Sequence, residues 1–251
     1  FDKFIYKDHD QSNLNIIKEI NMISIVIPTY NEKKNISKII YNLKKIKITN
    51  EVIFVDDYSS DGTFNEIVKY KSKKIKGYLR ASLKKDLSKS VFFGVKKAKY
   101  NNILVMDCDL QHNPIYIHKM WTKYKSSNLD LLVANRFSMQ KIIGNLGLLR
   151  SLVSLSTISI INFIFGKKTQ DPLSGFFLCK KSIILKYRKS FFLCGYKILF
   201  DIIYNGDQNL NIGQQDIIFN RRQSEKSKFN LRIIAIFIKQ MIFTKFVAKS
   251  K

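Results

Sequence analysis

Two acids one residue apart, Asp107 and Asp109, follow an apolar run in the sequence VMDCDLQH, and Gln111 comes two residues later. On an extended backbone, alternate residues project to the same side, so these three oxygen-bearing side chains would point together. Oxygen-only donors of this kind suit Mg²⁺ or Mn²⁺ better than zinc. The pattern predicts either a cation site or a loop in which the acids organise the start of the next element.

The sequence around these acids alternates short apolar runs with helical patterns. Strand-like runs occupy 23–28, 51–57, 76–80 and 101–109, and amphipathic helices are predicted between them. Such alternation predicts an α/β fold, a mostly parallel sheet with helices on both faces. Ligands of such sheets bind beyond the carboxyl ends of the strands. Because Pro28, Tyr30, Asp57 and the acid pair all lie at predicted strand ends, we expect them to converge on one crevice.

The bulk composition limits the classes of protein that fit. The 251 residues are 45% hydrophobic, enough for one large domain, and the three cysteines lack metal or disulfide spacing, which predicts a reducing compartment. The net charge of +25 is compatible with an anionic partner or with a codon bias toward lysine. The lysines are dispersed and no nucleic-acid-binding module is recognisable, so a nucleic-acid-binding protein is only a remote alternative.

Two apolar segments stand out in the second half of the chain. The segment 142–166 is interrupted by Arg150, and 231–249 is interrupted by Arg232, Lys239 and Lys245. Neither is the uncharged run of about 20 residues that a membrane span needs. Two interpretations stay open for 142–166, a helix on a membrane surface or a helix packed on the core, whereas 231–249 predicts an interfacial amphipathic helix. We predict an appendage over 1–21, one domain over 22–230 and an amphipathic tail over 231–251.

Six motifs occur along the chain in a fixed order: VIPTYNE (26–32), VDDYSSDGT (55–63), MDCDLQH (106–112), DPLSGFF (171–177), GYKILFD (195–201) and FNRRQSEKSK (219–228). Together they closely resemble the family 2 glycosyltransferases, and within them the dolichyl-phosphate mannose synthase group. The resemblance covers nearly everything from Met22 to Lys228. It implies a GT-A (Rossmann-like) fold, a nucleotide-sugar donor and a polyprenyl-phosphate acceptor.

The resemblance also implies roles for individual residues. Those assigned to the nucleotide sugar are Pro28, Tyr30, Glu32, Val55 and Asp57, the segment Asp107, Cys108 and Asp109, then Arg136 near the reaction centre, and Arg222 and Lys228 on a closing loop. Asp107, Asp109 and Gln111 would bind Mg²⁺ or Mn²⁺, and Arg150 would bind the acceptor phosphate. Asp109 and Arg136 are the residues expected to act on the reacting groups. Asp86 departs from the family pattern, which commonly has Gly there.

The implied reaction transfers a hexose, by the group's default mannose from GDP-mannose, to a dolichyl-type phosphate with inversion. The acceptor phosphate is already ionised near neutral pH, so no general base is needed, and none of the three histidines is expected to act. An alternative within the same fold is transfer to a hydroxyl of a glycan or protein, for which Asp201 is the candidate base. The resemblance further implies peripheral attachment to the cytoplasmic face of a membrane, with an anchoring partner left open.

Overall fold

The computed structural model describes residues 22–46, 48, 50–82, 85–137, 148–220 and 231–249, with the backbone alone for 148–152, 231 and 247–249. Its strands are β1 (Ile23–Thr29), β2 (Asn50–Asp56), β3 (Ile75–Leu79), β4 (Asn102–Val105), β5 (Leu131–Asn135), β6 (Phe177–Lys180) and β7 (Ile212–Asp216). They form one seven-stranded sheet in the order β3-β2-β1-β4-β6-β5-β7. Only β6 runs antiparallel to its neighbours, so the predicted mostly parallel sheet is confirmed.

The helices are α1 (Lys33–Lys44), α2 (Thr63–Val68), α3 (Leu87–Lys97), α4 (Tyr116–Ser126), α5 (Leu148–Phe165), α6 (Lys181–Lys186), α7 (Ile198–Tyr204) and α8 (Leu231–Lys249). Alternate residues of a strand face opposite sides of the sheet, and here both sides are apolar. One core joins the sheet to α1, α2 and α4. The other joins it to α3, α5, α6 and α7. The predicted helices on both faces are therefore confirmed.

The sheet brings the predicted strand ends to one edge. β1 pairs with β2 from Ile23 to Thr29, but with β4 only as far as Val26 and Val105. Beyond that point β1 and β4 separate, so Pro28 needs no hydrogen bond toward β4, and its missing N–H costs nothing there. Ligands of such sheets bind at this kind of divergence beyond the strand ends, so we take it as the candidate crevice.

The two apolar segments form α5 and α8, and both lie on the α7 side of the sheet. The Phe200 ring of α7 contacts Phe165 of α5, with ring centroids 5.5 Å apart, and Phe237 of α8, at 5.4 Å. Gln240 and Thr244 of α8 are buried, so one face of the predicted tail packs against the domain. None of the helices in the described part of the chain is long and apolar enough to cross a membrane.

Candidate active site

The acid segment bends instead of continuing the strand. β4 ends at Val105, before both acids, and Leu110 has a φ of 62°. Our expectation that Asp107, Asp109 and Gln111 project together from an extended backbone is therefore wrong. A hydrogen bond from the Gln111 N–H to Asp109 Oδ1, at 3.1 Å, closes a tight turn. Asp109 is buried, whereas the Asp107 side chain is 37% exposed, so the two carboxylates approach the crevice from different depths.

Gln111 connects the acid segment to the chain beyond β7. Its backbone carbonyl accepts from the Asn220 N–H at 3.0 Å, and its side-chain amide donates to the Asn220 carbonyl at 3.2 Å. Asn220 is the last described residue before 221–230. The structure therefore gives Gln111 an anchoring contact in addition to the ligand role that the resemblance implies. Arg222 and Lys228 of the predicted closing loop lie outside the described residues.

The loop 171–175 carries Asp171, the ion-pair partner of Arg136. Arg136, directly after β5, donates from Nε to Asp171 Oδ2 at 2.6 Å and from Nη2 to Asp171 Oδ1 at 2.8 Å. Asp171 is fully buried. Such a bidentate pair fixes the plane of a guanidinium as well as its position. The role of Asp171 in this structure is therefore to hold Arg136.

Gly175, at the other end of this loop, packs directly against the acid segment. A Cβ placed at Gly175 would overlap Asp107 Oδ2. The loop 171–175 therefore contacts both Arg136 and Asp107, the more exposed of the two acids. The charges of these groups interact: burial opposes the charge of Arg136, but Asp171, Asp107 and Asp109 more than offset it, and the pKa of Arg136 is raised.

His112 lies beneath the acid segment. Its Nδ1 accepts from the Asp107 N–H at 3.4 Å, and its ring is 5.2 Å from the rings of Phe176 and Phe219. Nε2 has no hydrogen-bond partner among the described residues. Burial is the main reason that the pKa of His112 is lowered to about 4. The imidazole is therefore neutral near pH 7 and supports the backbone of Asp107 from below.

The β1 side of the crevice holds the first group of predicted nucleotide contacts. Glu32 precedes α1, and its N–H donates to Thr63 Oγ1 at 2.8 Å while its carboxylate accepts from the Asn35 amide at 2.7 Å. The Tyr30 ring is partly exposed, with Lys85 Nζ 5.1 Å from its centroid. Pro28 is buried within β1. Tyr30 is thus partly exposed, and Glu32 is engaged at a helix start.

Asp57, directly after β2, is buried, and both of its carboxylate oxygens have partners. One of its oxygens is paired with Arg80, and the other accepts from the Asp86 N–H at 2.5 Å. Burial raises the pKa of Asp57, against the opposing effects of these two partners. The neighbouring Asp56 accepts instead from Ser59 and Thr29, so it organises the loop.

Several predicted residues do not bring a side chain to the crevice. Val55 is fully buried in the core that includes α3, and Cys108 is buried in the opposite core. A nucleotide sugar could meet these two residues only at their backbone. Arg150 lies within α5, where the backbone alone is described, so its predicted contact with an acceptor phosphate stays a prediction.

Sequence reasoning missed the segment Gly195-Tyr196-Lys197, although it quoted the motif that contains it. Lys197 Nζ donates to the Leu173 carbonyl at 3.0 Å, in the middle of the loop 171–175. The pKa of the Tyr196 hydroxyl is raised, mainly by burial and also by the negative charge of Asp57. The segment therefore contacts the loop 171–175 through Lys197 and interacts with Asp57 through Tyr196.

The acid segment suits a hard divalent cation. Within the described residues, no group of three or more His, Cys, Asp or Glu side chains is gathered as ligands of a metal. Asp107 and Asp109 supply two carboxylates, and Gly175 packs so closely against Asp107 that a side chain there would displace the carboxylate. Mg²⁺ commonly binds through one or two carboxylates together with substrate phosphates. The two carboxylates therefore fit a Mg²⁺ ion whose other ligands are substrate phosphates.

The fold is that of the GT-A glycosyltransferases. Mannosyl-3-phosphoglycerate synthase from Rubrobacter xylanophilus superposes with a TM-score of 0.66 at 15% identity, over 89% of this chain and 72% of that one. Glucosyl-3-phosphoglycerate synthase from Mycobacterium tuberculosis, in complex with Mn²⁺, UDP-glucose and phosphoglyceric acid, gives a TM-score of 0.67 at 16% identity, over 91% of this chain and 79% of that one. At such low identity these similarities establish the fold alone, which confirms the predicted class.

The chain belongs to glycosyl transferase family 2, whose profile matches residues 24–188. It is similar to two proteins named dolichol-phosphate mannosyltransferase. The one from Pyrococcus furiosus is 28% identical over 223 residues, which cover 87% of this chain but only 62% of that protein. The one from Saccharomyces cerevisiae is 26% identical over 232 residues, covering 87% of this chain and 85% of that protein. The family predicted from the six ordered motifs is thereby confirmed.

Proposed function

We propose that this glycosyltransferase moves a hexose, mannose from GDP-mannose, to a polyprenyl phosphate of the dolichyl type with inversion at the anomeric carbon. The observation that carries the proposal is the arrangement around the loop 171–175, where Asp107 and the ion-paired Arg136 meet at one end of the crevice. The similarity to two dolichol-phosphate mannosyltransferases supports the choice of donor and acceptor.

In this proposal the nucleoside and the cation bind at different strands along the same edge of the sheet. Tyr30 and Asp57, after β1 and β2, bind the nucleoside, and Asp107 and Asp109, after β4, hold the cation. A bound Mg²⁺ or Mn²⁺ would neutralise charge on the donor diphosphate as it leaves. Arg136 adds a preorganised positive charge near the transferring sugar, because Asp171 already fixes its geometry. Holding an ionised acceptor in line with the sugar is then mainly a matter of positioning.

The state of Asp201 argues against a hydroxyl acceptor. Asp201 is fully buried in α7, and it accepts from the Leu193 N–H at 3.2 Å and from the Asn205 amide at 2.8 Å. Burial raises the pKa of this carboxyl, but no face of it opens on the crevice. A general base must reach the proton that it removes. Asp201 therefore ties α7 together and lacks the access that the alternative reaction needs.

Association with a membrane surface is part of the proposal. Ile238, Ile242 and Phe246 of α8 are 50%, 52% and 69% exposed, and Phe163 of α5 is 92% exposed. The exposed residues of α8 recur every four positions, which makes one apolar stripe along the helix, next to the exposed Lys239 and Lys245. An apolar stripe flanked by lysines is typical of helices that lie on anionic lipid.

The hydroxyl groups on α5 do not prevent this helix from lying on a lipid surface as well. Thr157 Oγ1 donates to the Val153 carbonyl at 2.7 Å, and Ser159 Oγ donates to the Leu155 carbonyl at 3.0 Å. Their polar hydrogens are therefore satisfied within the helix, which lowers the cost of placing them against lipid. We propose that α5 and α8 attach the protein peripherally to the cytoplasmic face of a membrane.

A donor and acceptor panel tests the proposal. GDP-mannose, UDP-glucose and other nucleotide sugars are each added with Mn²⁺, and thermal unfolding reports which one stabilises the folded protein. The selected donor is then offered to dolichyl phosphate, undecaprenyl phosphate, free mannose and an oligosaccharide. We expect GDP-mannose to give the largest shift and the product to be a β-linked lipid phosphomannose. Transfer to the oligosaccharide but to no lipid phosphate would reject the proposal.

A further inference from the structure

The side chain of Lys197 extends to the loop 171–175. Its ammonium donates to the carbonyl of Leu173 at 3.0 Å. Leu173 is two residues from Asp171, which holds Arg136, and two residues from Gly175, which contacts Asp107. The Lys197 ammonium therefore contacts the same short loop that contacts both Arg136 and Asp107.

The order of the strands separates the donor side from the acceptor side. Asp57 follows β2 and the acids follow β4, with β1 between these strands, whereas the loop 171–175 leads into β6 on the far side of β4. A nucleotide sugar that runs from Asp57 to the acids has its sugar end directed toward β6. The next group along the edge is the acceptor, and Lys197 is on that side.

Contacts with α8 and with the start of α3 hold the backbone of the segment 195–197 in place. The Gln240 amide of α8 donates to the Lys197 carbonyl at 3.0 Å. Gly195 donates through its N–H to Asp86 Oδ2 at 3.1 Å, and its carbonyl accepts from the Ser88 N–H at 2.9 Å. The segment is thereby fixed between the start of α3 and the helix that we propose lies on the membrane, so the ammonium is positioned before any ligand binds.

We propose that Lys197 binds the phosphate of the acceptor lipid. This inference rests on the proposed function and names the group that recognises the charged end of the acceptor. An ammonium forms charge-assisted hydrogen bonds with phosphate oxygens, and these are stronger than neutral ones. In the transfer, an acceptor phosphate oxygen forms the bond to the anomeric carbon while the bond from that carbon to the donor diphosphate breaks. The bonding electron pair leaves with the nucleoside diphosphate, so Lys197 neither gives nor takes a proton.

The test compares Lys197→Gln, Lys197→Arg and the wild-type protein. Glutamine keeps a hydrogen-bond donor but carries no charge, and arginine keeps the charge. The matched control is Lys181→Gln, because Lys181 Nζ also donates to a backbone carbonyl, that of Ala98 at 2.6 Å, on the opposite edge of the sheet. Kinetics with dolichyl phosphate and with the short citronellyl phosphate give the acceptor KM. Calorimetry with GDP-mannose and Mn²⁺ gives the donor Kd.

We expect Lys197→Gln to raise the acceptor KM roughly tenfold or more, the usual loss for one hydrogen bond to a charged group. The donor Kd should stay within about twofold, Lys197→Arg should recover most of the acceptor affinity, and Lys181→Gln should match the wild type. Thermal unfolding confirms that each variant is folded.

Three results would overturn the inference. An unchanged acceptor KM in Lys197→Gln, alongside normal wild-type transfer, removes the role of Lys197 and leaves the proposed function intact. A weakened donor Kd with an unchanged acceptor KM assigns the ammonium to the donor diphosphate instead. A wild-type protein that transfers to no lipid phosphate removes the proposed function, and the inference is lost with it.

Discussion

Arg136 and Asp171 form a buried bidentate ion pair at the end of β5, with Nε–Oδ2 and Nη2–Oδ1 distances of 2.6 and 2.8 Å. The pair ties the strand that carries Arg136 to the loop that contacts Asp107. It therefore links the positive charge proposed for the transition state to the carboxylates proposed for the cation. This connection has consequences for stability as well as for activity.

Replacing Asp171 with Asn should strongly destabilise the protein. The substitution leaves the buried guanidinium of Arg136 without its counter-charge, which typically costs about 3–5 kcal/mol. Urea unfolding measures the loss. The matched control is Asp130→Asn, because the pair between Lys180 Nζ and Asp130 Oδ1 has the same 2.6 Å length but lies at the surface, where such pairs contribute about 1 kcal/mol or less. Equal losses in both variants would show that the Arg136–Asp171 pair is not a buried charge pair.

Substituting Gly175 by Ala should weaken metal binding. The added Cβ would overlap Asp107 Oδ2, so the carboxylate must move away from its present position. Changes to groups that orient a metal ligand typically weaken affinity by about 10–100-fold, and titration with Mn²⁺ followed by electron paramagnetic resonance measures the effect.

Gly166→Ala controls for a general loss of stability. Gly166 has a φ of 79° with nothing within 4 Å of its Cβ position, so alanine there should cost about 1 kcal/mol of stability and leave Mn²⁺ affinity unchanged. If Gly175→Ala binds Mn²⁺ as tightly as Gly166→Ala, the contact between Gly175 and Asp107 does not shape the cation site.

The burial of His112 predicts that the protein loses stability on mild acidification. Its pKa is about 4 in the folded state, against about 6.5 in an unfolded chain. Between these values the unfolded chain binds a proton that the folded protein does not, so the free energy of unfolding decreases as pH falls from about 6.5 to 4. The decrease from this one group is about 3 kcal/mol.

Denaturant unfolding from pH 7 to 4, in EDTA so that no cation occupies the acids, measures this effect. His112→Phe should flatten the pH dependence by the predicted amount, whereas the exposed His118 provides the control His118→Gln, which should keep the wild-type slope. A steep, unchanged slope in His112→Phe would mean that other groups cause the acid sensitivity.

The apolar stripe of α8 should bind lipid. Ile238 and Ile242 are each about half exposed, and their burial in a membrane interface contributes about 2 kcal/mol together. The double variant Ile238→Ser/Ile242→Ser should therefore partition onto anionic vesicles roughly thirtyfold less than the wild type. Ile115→Ser removes an isoleucine that is 73% exposed next to α4, on the other face of the sheet, and should bind as the wild type does. Equal binding by all three proteins would remove α8 from the membrane surface.

The sequence predicted the first half of the fold well, because each strand there is a local apolar run and each polar motif follows one. It also predicted that Tyr30, Asp57 and the acids converge, since parallel strands end at one edge of a sheet. The bend at Leu110, with its positive φ, was not predictable from residue types, because only Gly, Asn and Asp commonly adopt it. The turn is imposed by contacts around Gln111 that are made with Asn220, more than a hundred residues away.

The partners of the site residues were harder to predict for the same reason. The position of Lys197 depends on Leu173 and Gln240, from two distant segments, which hold its side chain and its backbone. Likewise, the pairing of Arg136 with Asp171 depends on β6 lying between β4 and β5 in the sheet. Motif order identified the family, but non-local pairing decides which side chains meet.

The most direct test of the central claim is a transfer assay with radiolabelled GDP-mannose, Mn²⁺ and dolichyl phosphate in vesicles. The wild-type protein should form lipid-linked mannose, and either EDTA or Asp109→Ala should reduce the rate by roughly 10²–10³-fold, because the diphosphate then leaves without charge stabilisation. Full activity of Asp109→Ala in EDTA would contradict the account.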